Sequence, residues 1–205
     1  MAEVHLTLLG GFRVRAAERS VEIPARKTKA LLAYLSLQPS QEFQRDKLAA
    51  LLWEESSDAQ ARQSLRQALR ELRKVLPGAS LHATTDTVTL DAGYVDTDVR
   101  HFQELAESDD ITERERALSL YGGEFLEGFN PRSAAFEYWF MSQHSRLRET
   151  AMELMRRMLH DYQSQQKTER AIQVALRLLA TDTLQESVHS TLMRLYAQQE
   201  GIPKR

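Results

Sequence analysis

The chain has 205 residues, 42% hydrophobic and 27% charged, with no cysteine and a formal net charge of −2. That length holds one large domain or two small ones, and the composition excludes wholesale disorder. Without cysteine, a disulfide scaffold, a thiolate zinc site, an iron–sulfur cluster and a cysteine nucleophile are all excluded. No apolar run approaches the roughly 20 residues of a membrane span. Met1 to Leu9 has no cationic stretch ahead of an apolar run, so it does not read as a signal peptide. The expectation is a cytoplasmic protein with no membrane partner.

The net charge hides an uneven distribution. Residues 1–100 hold 14 Lys/Arg and 13 Asp/Glu, whereas residues 101–205 hold 13 and 16. Between Ala59 and Leu76 there are five bases (Arg62, Arg66, Arg70, Arg73, Lys74) and one acid, Glu71. A local stripe of this kind is the electrostatic feature that a whole-chain balance averages away.

The first quarter reads as short strands. Val4, Leu6 and Leu8 alternate with polar residues, and Phe12 and Val14 do so after Gly10-Gly11. Val21 and Ile23 flank Glu22, and Pro24 closes the region. Such period-2 alternation punctuated by glycine marks half-buried strands.

Three helical patterns follow. Lys27 to Leu37 is apolar nearly all round and should be buried. Arg45 to Trp53 gathers Leu48, Leu51 and Leu52 on one side. The third begins after Ser57, which forms a capping-box pattern with Gln60, and stops at Pro77-Gly78. At about 100° per residue this third helix has two faces. Leu65, Ala68, Leu69, Leu72 and Leu76 share one; Arg62, Arg66, Arg70 and Arg73 share the other, with Gln63, Gln67 and Lys74 at its margin. A merely solvated face usually mixes signs, with acids spaced to pair the bases. Both readings stay open on the stripe alone, a solvated face and a nucleic-acid contact.

A hairpin comes next. Leu81, Ala83, Val88 and Leu90 point one way and His82, Thr84, Thr87 and Thr89 the other, with Thr85-Asp86 as the turn. A small sheet, three helices and a hairpin, the last helix basic, is the layout of a winged helix. There the third helix enters the major groove and the hairpin reaches the flanking backbone.

The polar stretch Asp91 to Asp98 is read as the domain boundary, giving domains 1–98 and 99–205. Beyond it the pattern is all helix, with no Gly or Pro between Pro131 and Gly201. The expected helices are Val99–Glu107, Thr112–Tyr121, Ala134–Gln165, Glu169–Ala180 and Leu184–Gln199. At an offset of 34 residues, Leu154, Met158, Leu159, Tyr162 and Gln165 fall on Val188, Leu192, Met193, Tyr196 and Gln199. Thirty-four is the tetratricopeptide period. The partner of the last helix would begin near Pro203, so the sequence reads as cut inside a solenoid and as part of a longer protein. The last helix should then present Leu184, Val188, Leu192, Leu195 and Tyr196 uncovered.

Catalytic patterns are not found, and no enzyme, cofactor or metal is expected. The six histidines form no HExxH and no other tight pair. Gly123-x4-Gly128 resembles the start of a phosphate loop, but Phe129-Asn130 stands where Lys-Ser/Thr is needed. Glu124, Glu127 and Glu137 are dispersed among aromatics, and Tyr138, Trp139 and Phe140 at a helix start read as core.

The runs Arg26-Lys27-Thr28-Lys29-Ala30-Leu31-Leu32-Ala33-Tyr34-Leu35, Arg45-Asp46-Lys47-Leu48-Ala49-Ala50-Leu51-Leu52-Trp53, Ala61-Arg62-Gln63-Ser64-Leu65-Arg66 and Leu72-Arg73-Lys74-Val75-Leu76 resemble the DNA-binding domain of SARP-type bacterial transcriptional activators. Val95-Asp96-Thr97-Asp98-Val99-Arg100-His101-Phe102 is similar to that family's junction with its bacterial transcriptional activation domain. Leu118-Ser119-Leu120-Tyr121-Gly122-Gly123-Glu124-Phe125-Leu126 and the helices after it resemble that second domain. The wing departs from the family in lacking a glycine-rich tip. The resemblance implies a mainly α protein, an OmpR-like winged helix followed by a tetratricopeptide-like helical domain. It implies activation of transcription by binding promoter direct repeats as a homodimer and contacting RNA polymerase. The candidate DNA-contacting residues are Arg62, Gln63, Arg66, Gln67, Arg70, Arg73 and Lys74, with Arg45, Lys27 and Lys29 at phosphates and Thr84 and Thr85 in the wing. The rival readings are a helical protein-interaction scaffold, or the N-terminal regulatory part of a larger signalling protein such as an ATPase or cyclase.

Overall fold

The computed structural model describes residues 3–16, 19–78 and 80–199. It divides into two compact units that do not follow chain order. The first comprises 1–102 and 120–145, the second 103–119 and 146–205.

The first unit opens with β1 (Val4–Thr7), β2 (Arg13–Ala16) and β3 (Arg19–Val21). The Gly10-Gly11 turn takes both residues to positive φ, which glycine adopts without a Cβ clash. β1 pairs antiparallel with β2, Leu6 opposite Val14, and β2 pairs antiparallel with β3. Val4, Leu6, Leu8 and Val14 are buried, as the alternation predicts. The polar stretch at 91–98 contains a further strand, β7 (Val95–Thr97), lying parallel to β1 with Val4 opposite Val95. The order is β3-β2-β1-β7. Asp98 closes this sheet, its carboxylate accepting from Leu8 N at 2.9 Å and Leu9 N at 3.0 Å.

Helices α1 (Arg26–Ser36), α2 (Arg45–Trp53) and α3 (Asp58–Val75) lie within two residues of their expected ends. Ala30 to Ala33 of α1 are all fully buried, as an all-round apolar helix requires. The Ser57 hydroxyl accepts from Gln60 N at the start of α3. Beside these helices β4 (Phe43–Gln44), β5 (Leu81–Ala83) and β6 (Thr87–Leu90) form a three-stranded sheet in the order β4-β6-β5. Leu81 faces Leu90 across the hairpin and Phe43 faces Val88.

Residues 120–145 complete this unit. Gly10 N donates to Glu124 O and Leu126 N to Leu8 O, with a bridge between Leu9 and Phe125. A Cβ on Gly123 would stand 2.9 Å from Gly10 Cα, so the backbones approach too closely for any other residue. Helix α6 (Ala134–Ser164) begins here. Its first amides, Ala134 N and Ala135 N, donate to Glu54 Oε1 and Oε2 at 2.6 and 3.1 Å, and Ser133 Oγ donates to Leu51 O at 2.6 Å. A carboxylate suits a helix N-terminus because it meets the unsatisfied N–H groups and the positive end of the dipole. Trp139 packs against Tyr34 and Phe136, each at 4.9 Å, and Phe125 at 6.0 Å. Tyr138 departs from its expected core position. It is 78% exposed, because it lies on the opposite side of α6 from buried Phe136.

The second unit is built from the end of α4 (Asp98–Ala106), α5 (Ile111–Leu120), the later turns of α6, α7 (Thr168–Thr181) and α8 (Glu186–Gln199). Buried Arg114 of α5 donates to Asp161 of α6, and Tyr162 Oη donates to Glu115 Oε1 at 2.6 Å. Ala171, Val174, Ala175 and Leu178 of α7 and Val188 and Leu195 of α8 are buried. The uncovered face of the last helix is therefore narrower than expected: Val188 and Leu195 are core, and Leu184, Met193 and Tyr196 are exposed. The two copies of the 34-residue repeat differ at these places. Leu159 and Tyr162 are 6% and 2% exposed, their counterparts Met193 and Tyr196 67% and 42%. The partner helix expected near Pro203 lies outside the described residues.

Candidate nucleic-acid interface

Helix α3 supplies the central element. Ala61, Leu65, Ala68, Leu69 and Leu72 are buried at helical spacing. That fixes the helix's rotation, and Arg62, Gln63, Arg66, Gln67, Arg70, Arg73 and Lys74 are all exposed together. Glu71 is drawn out of this face, half-buried and accepting from Thr28 Oγ1 of α1 at 2.8 Å. The exposed side of α3 therefore carries one sign of charge from Arg62 to Lys74. Arg73 and Lys74 also complement the negative end of the helix dipole.

Arg45 joins this face to the wing. Its Nη1 donates to Thr84 O at 3.1 Å and its backbone N to Asp86 O at 2.8 Å. Partial burial, then the positive charges of Arg66 and Arg73, hold its guanidinium below the usual arginine range. Three arginines from two helices thus share one field beside the hairpin turn. The turn is self-stapled: Thr84 Oγ1 accepts from Asp86 N and Thr87 N, and Thr85 stands exposed at its tip. The side chain of Thr84 is occupied in holding the turn.

The two α1 lysines are placed differently. Lys27 lies 5.8 Å from the Trp53 ring, beside a cleft that Ser64 and Gln67 of α3 also line. Lys29 lies 5.8 Å from the Phe12 ring of the N-terminal sheet region, so its contact is away from α3. Sequence reasoning missed Asp46. It forms a two-pronged ion pair with Arg62, Nε to Oδ1 at 2.9 Å and Nη2 to Oδ2 at 3.1 Å, both side chains exposed. Those hydrogen bonds and the Asp46 charge raise the Arg62 guanidinium above its usual range. Nothing in local spacing signals a pair 16 residues apart on two helices.

Elsewhere the structure explains features that resemble other chemistry. Gly123 serves the close approach to Gly10, and Gly128 takes φ +72 in a turn. Two histidines do come together: His101 Nε2 lies 2.6 Å and His5 Nδ1 3.6 Å from Asp96 Oδ2. Arg100 Nη2 holds the other carboxylate oxygen at 2.7 Å. An arginine at that distance opposes a cation, and among the described residues no group of three or more acids and histidines is arranged to hold a metal. Among the same residues, no helix is long and apolar enough to cross a membrane.

Residues 90–202 match the family model described as the bacterial transcriptional activator domain. No curated protein matches the sequence. The fold is similar to that of Mycobacterium tuberculosis EmbR, solved in complex with a low affinity phosphopeptide. The similarity has a TM-score of 0.56 at 19% identity, over 97% of this chain and 66% of that one. This chain spans slightly less than two thirds of the neighbour's length; its own fold is a winged helix followed by a helical, tetratricopeptide-like region.

Proposed function

The chain belongs to the bacterial transcriptional activator domain family, and from that premise we propose that this activator of transcription binds duplex DNA by laying α3 in the major groove. The observation that carries the reading is the one-signed exposed face of α3, joined through Arg45 to the wing. Arg66 and Arg70 lie mid-face, where a guanidinium can bridge two acceptors on guanine. Arg45 at the wing, and Arg73 and Lys74 in the last turn of α3, suit phosphates, as does Lys27. Thr85 at the turn suits the flanking backbone.

The division of labour is between residues 1–98, which hold the DNA contacts, and 99–205, which serve RNA polymerase and a second copy of the chain in the bacterial cytoplasm. Paired protomers suit direct repeats, each reading one half-site. Exposed Leu184, in the turn before α8, and exposed Met193 and Tyr196 on α8 suit homodimerisation there.

The test is binding of the full chain to a random-sequence duplex at rising salt. Expected is clear binding at about 50 mM salt and a steep loss toward about 200 mM, because each phosphate contact releases counterions. Salt-independent binding, or none at the low end, overturns the reading. The interaction-scaffold alternative predicts the latter.

A further inference from the structure

The exposed side of α3 faces one acid that its own sequence does not contain. Asp46 sits in the first turn of α2 and meets Arg62 through both carboxylate oxygens. Two features make this pair unusual as a stabilising device. Both partners are exposed, and exposed pairs contribute little to folding. The geometry is also the fork that a guanidinium presents to a phosphate. Asp46 therefore occupies Arg62 much as a nucleic-acid backbone would. Its neighbours on α2 and α3 are mixed in sign: Asp58 also acts on Arg62, and Arg45 lies next in sequence.

We propose that Asp46 is a specificity-determining residue, a built-in counter-charge that withholds Arg62 from any passing phosphate backbone and yields it only in a seated complex. The inference rests on the DNA-binding reading above and deepens it. In the free chain the α3 face then acts with one positive charge fewer than its arginine count. Sequence-independent binding comes almost entirely from such charges. Asp46 itself also repels phosphates approaching this end of the helix. Both effects weaken adventitious binding. In a seated complex the groove fixes a phosphate close to Arg62, and the exposed pair exchanges partners at small cost. Removal of Asp46 should therefore raise affinity for irrelevant DNA.

The experiment is a salt titration of binding to a random-sequence duplex by the full chain, D46N, R62Q and the double variant. Thermal unfolding of each checks that the fold is kept. D46N should bind about two- to fivefold more tightly at about 50 mM salt, the size of a released exposed pair. Its salt slope should steepen by up to about 0.9, the value of one added phosphate contact. In the R62Q background the same substitution should lose most of that gain. An equal gain in both backgrounds would show that Asp46 acts only by general repulsion, and overturns the inference. So does a D46N chain, folded, that binds no better than the unaltered one. If the unaltered chain does not bind duplex DNA at all, the DNA-binding reading itself fails, and this inference fails with it.

Discussion

Helices α3 and α8 each turn one side to solvent and differ in what they place there. α3 shows arginines, glutamines and a lysine; α8 sets Met193 and Tyr196 among Glu186, Ser187, His189, Ser190 and Arg194, with exposed Leu184 just before it. Their inner sides are alike, rows of small and aliphatic residues at helical spacing. Exposure alone therefore does not distinguish them; the kind of partner that would relieve it does. One-signed charge repels itself, as the neighbouring Arg45, Arg66 and Arg73 show. Exposed apolar surface is poorly solvated. On the proposed reading, a polyanion would neutralise the first face and another apolar surface would cover Met193 and Tyr196 on the second.

The largest expected effect comes from removing what orients the charged side. Leu65 is fully buried beneath it. Leu65→Ala should cost about 2–5 kcal/mol of stability, as cavity-forming core substitutions do. Thermal unfolding measures it, and DNA binding should fall in step with the folded fraction. A smaller effect is expected from the charged side itself. Arg66→Ala or Arg70→Ala should leave stability nearly unchanged and cost about 1–3 kcal/mol of discrimination between a selected site and random DNA. Competition binding decides, and equal losses on both DNAs would mean that these arginines hold only the backbone. The smallest effect belongs to α8. Met193→Ser with Tyr196→Ser should weaken self-association by about 1–2 kcal/mol while leaving monomer DNA binding intact. Sedimentation at several concentrations reads it. A chain that is strictly monomeric before substitution removes the α8 half of the comparison.

The elements that carry these faces were legible in the sequence because their signals are local. Apolar spacing, Ser57 and Pro77-Gly78 delimit α3, and the alternation from Leu81 to Leu90 gives the hairpin and its facing. The five later helices begin and end within two residues of expectation: short polar breaks at 107–110, 165–167 and 182–185 separate them, and the segment from Gly122-Gly123 to Pro131 parts α5 from α6. Illegible were the features that depend on distant partners. β7 has three residues, too few to show alternation, and exists because β1 lies beside it. Asp46 looks like an ordinary first-turn acid until α3 is placed across from it. Nothing local marks Gly123, and the backbone of Gly10, 2.9 Å from where its Cβ would stand, explains why no side chain is there. Tyr138 follows an aromatic run inward by composition, whereas helix rotation turns it outward.

That glycine contact has a consequence for how the protein is made. The sheet that begins at Val4 finds its last neighbours at Glu124 and Leu126, and the aromatic cluster on Tyr34 waits for Trp139. A ribosome must therefore release some 145 residues before the first unit can close. The emerging chain holds Leu8 and Leu9 without their partners for several seconds, at roughly 5–20 residues per second of synthesis. A gene fragment ending at residue 98 would keep Asp98 on the Leu8 and Leu9 amides but leave the Leu8 carbonyl without Leu126 and the Gly10 amide without Glu124. The return of the chain to Gly10 thus places the last hydrogen bonds of the first unit well past the end of the wing.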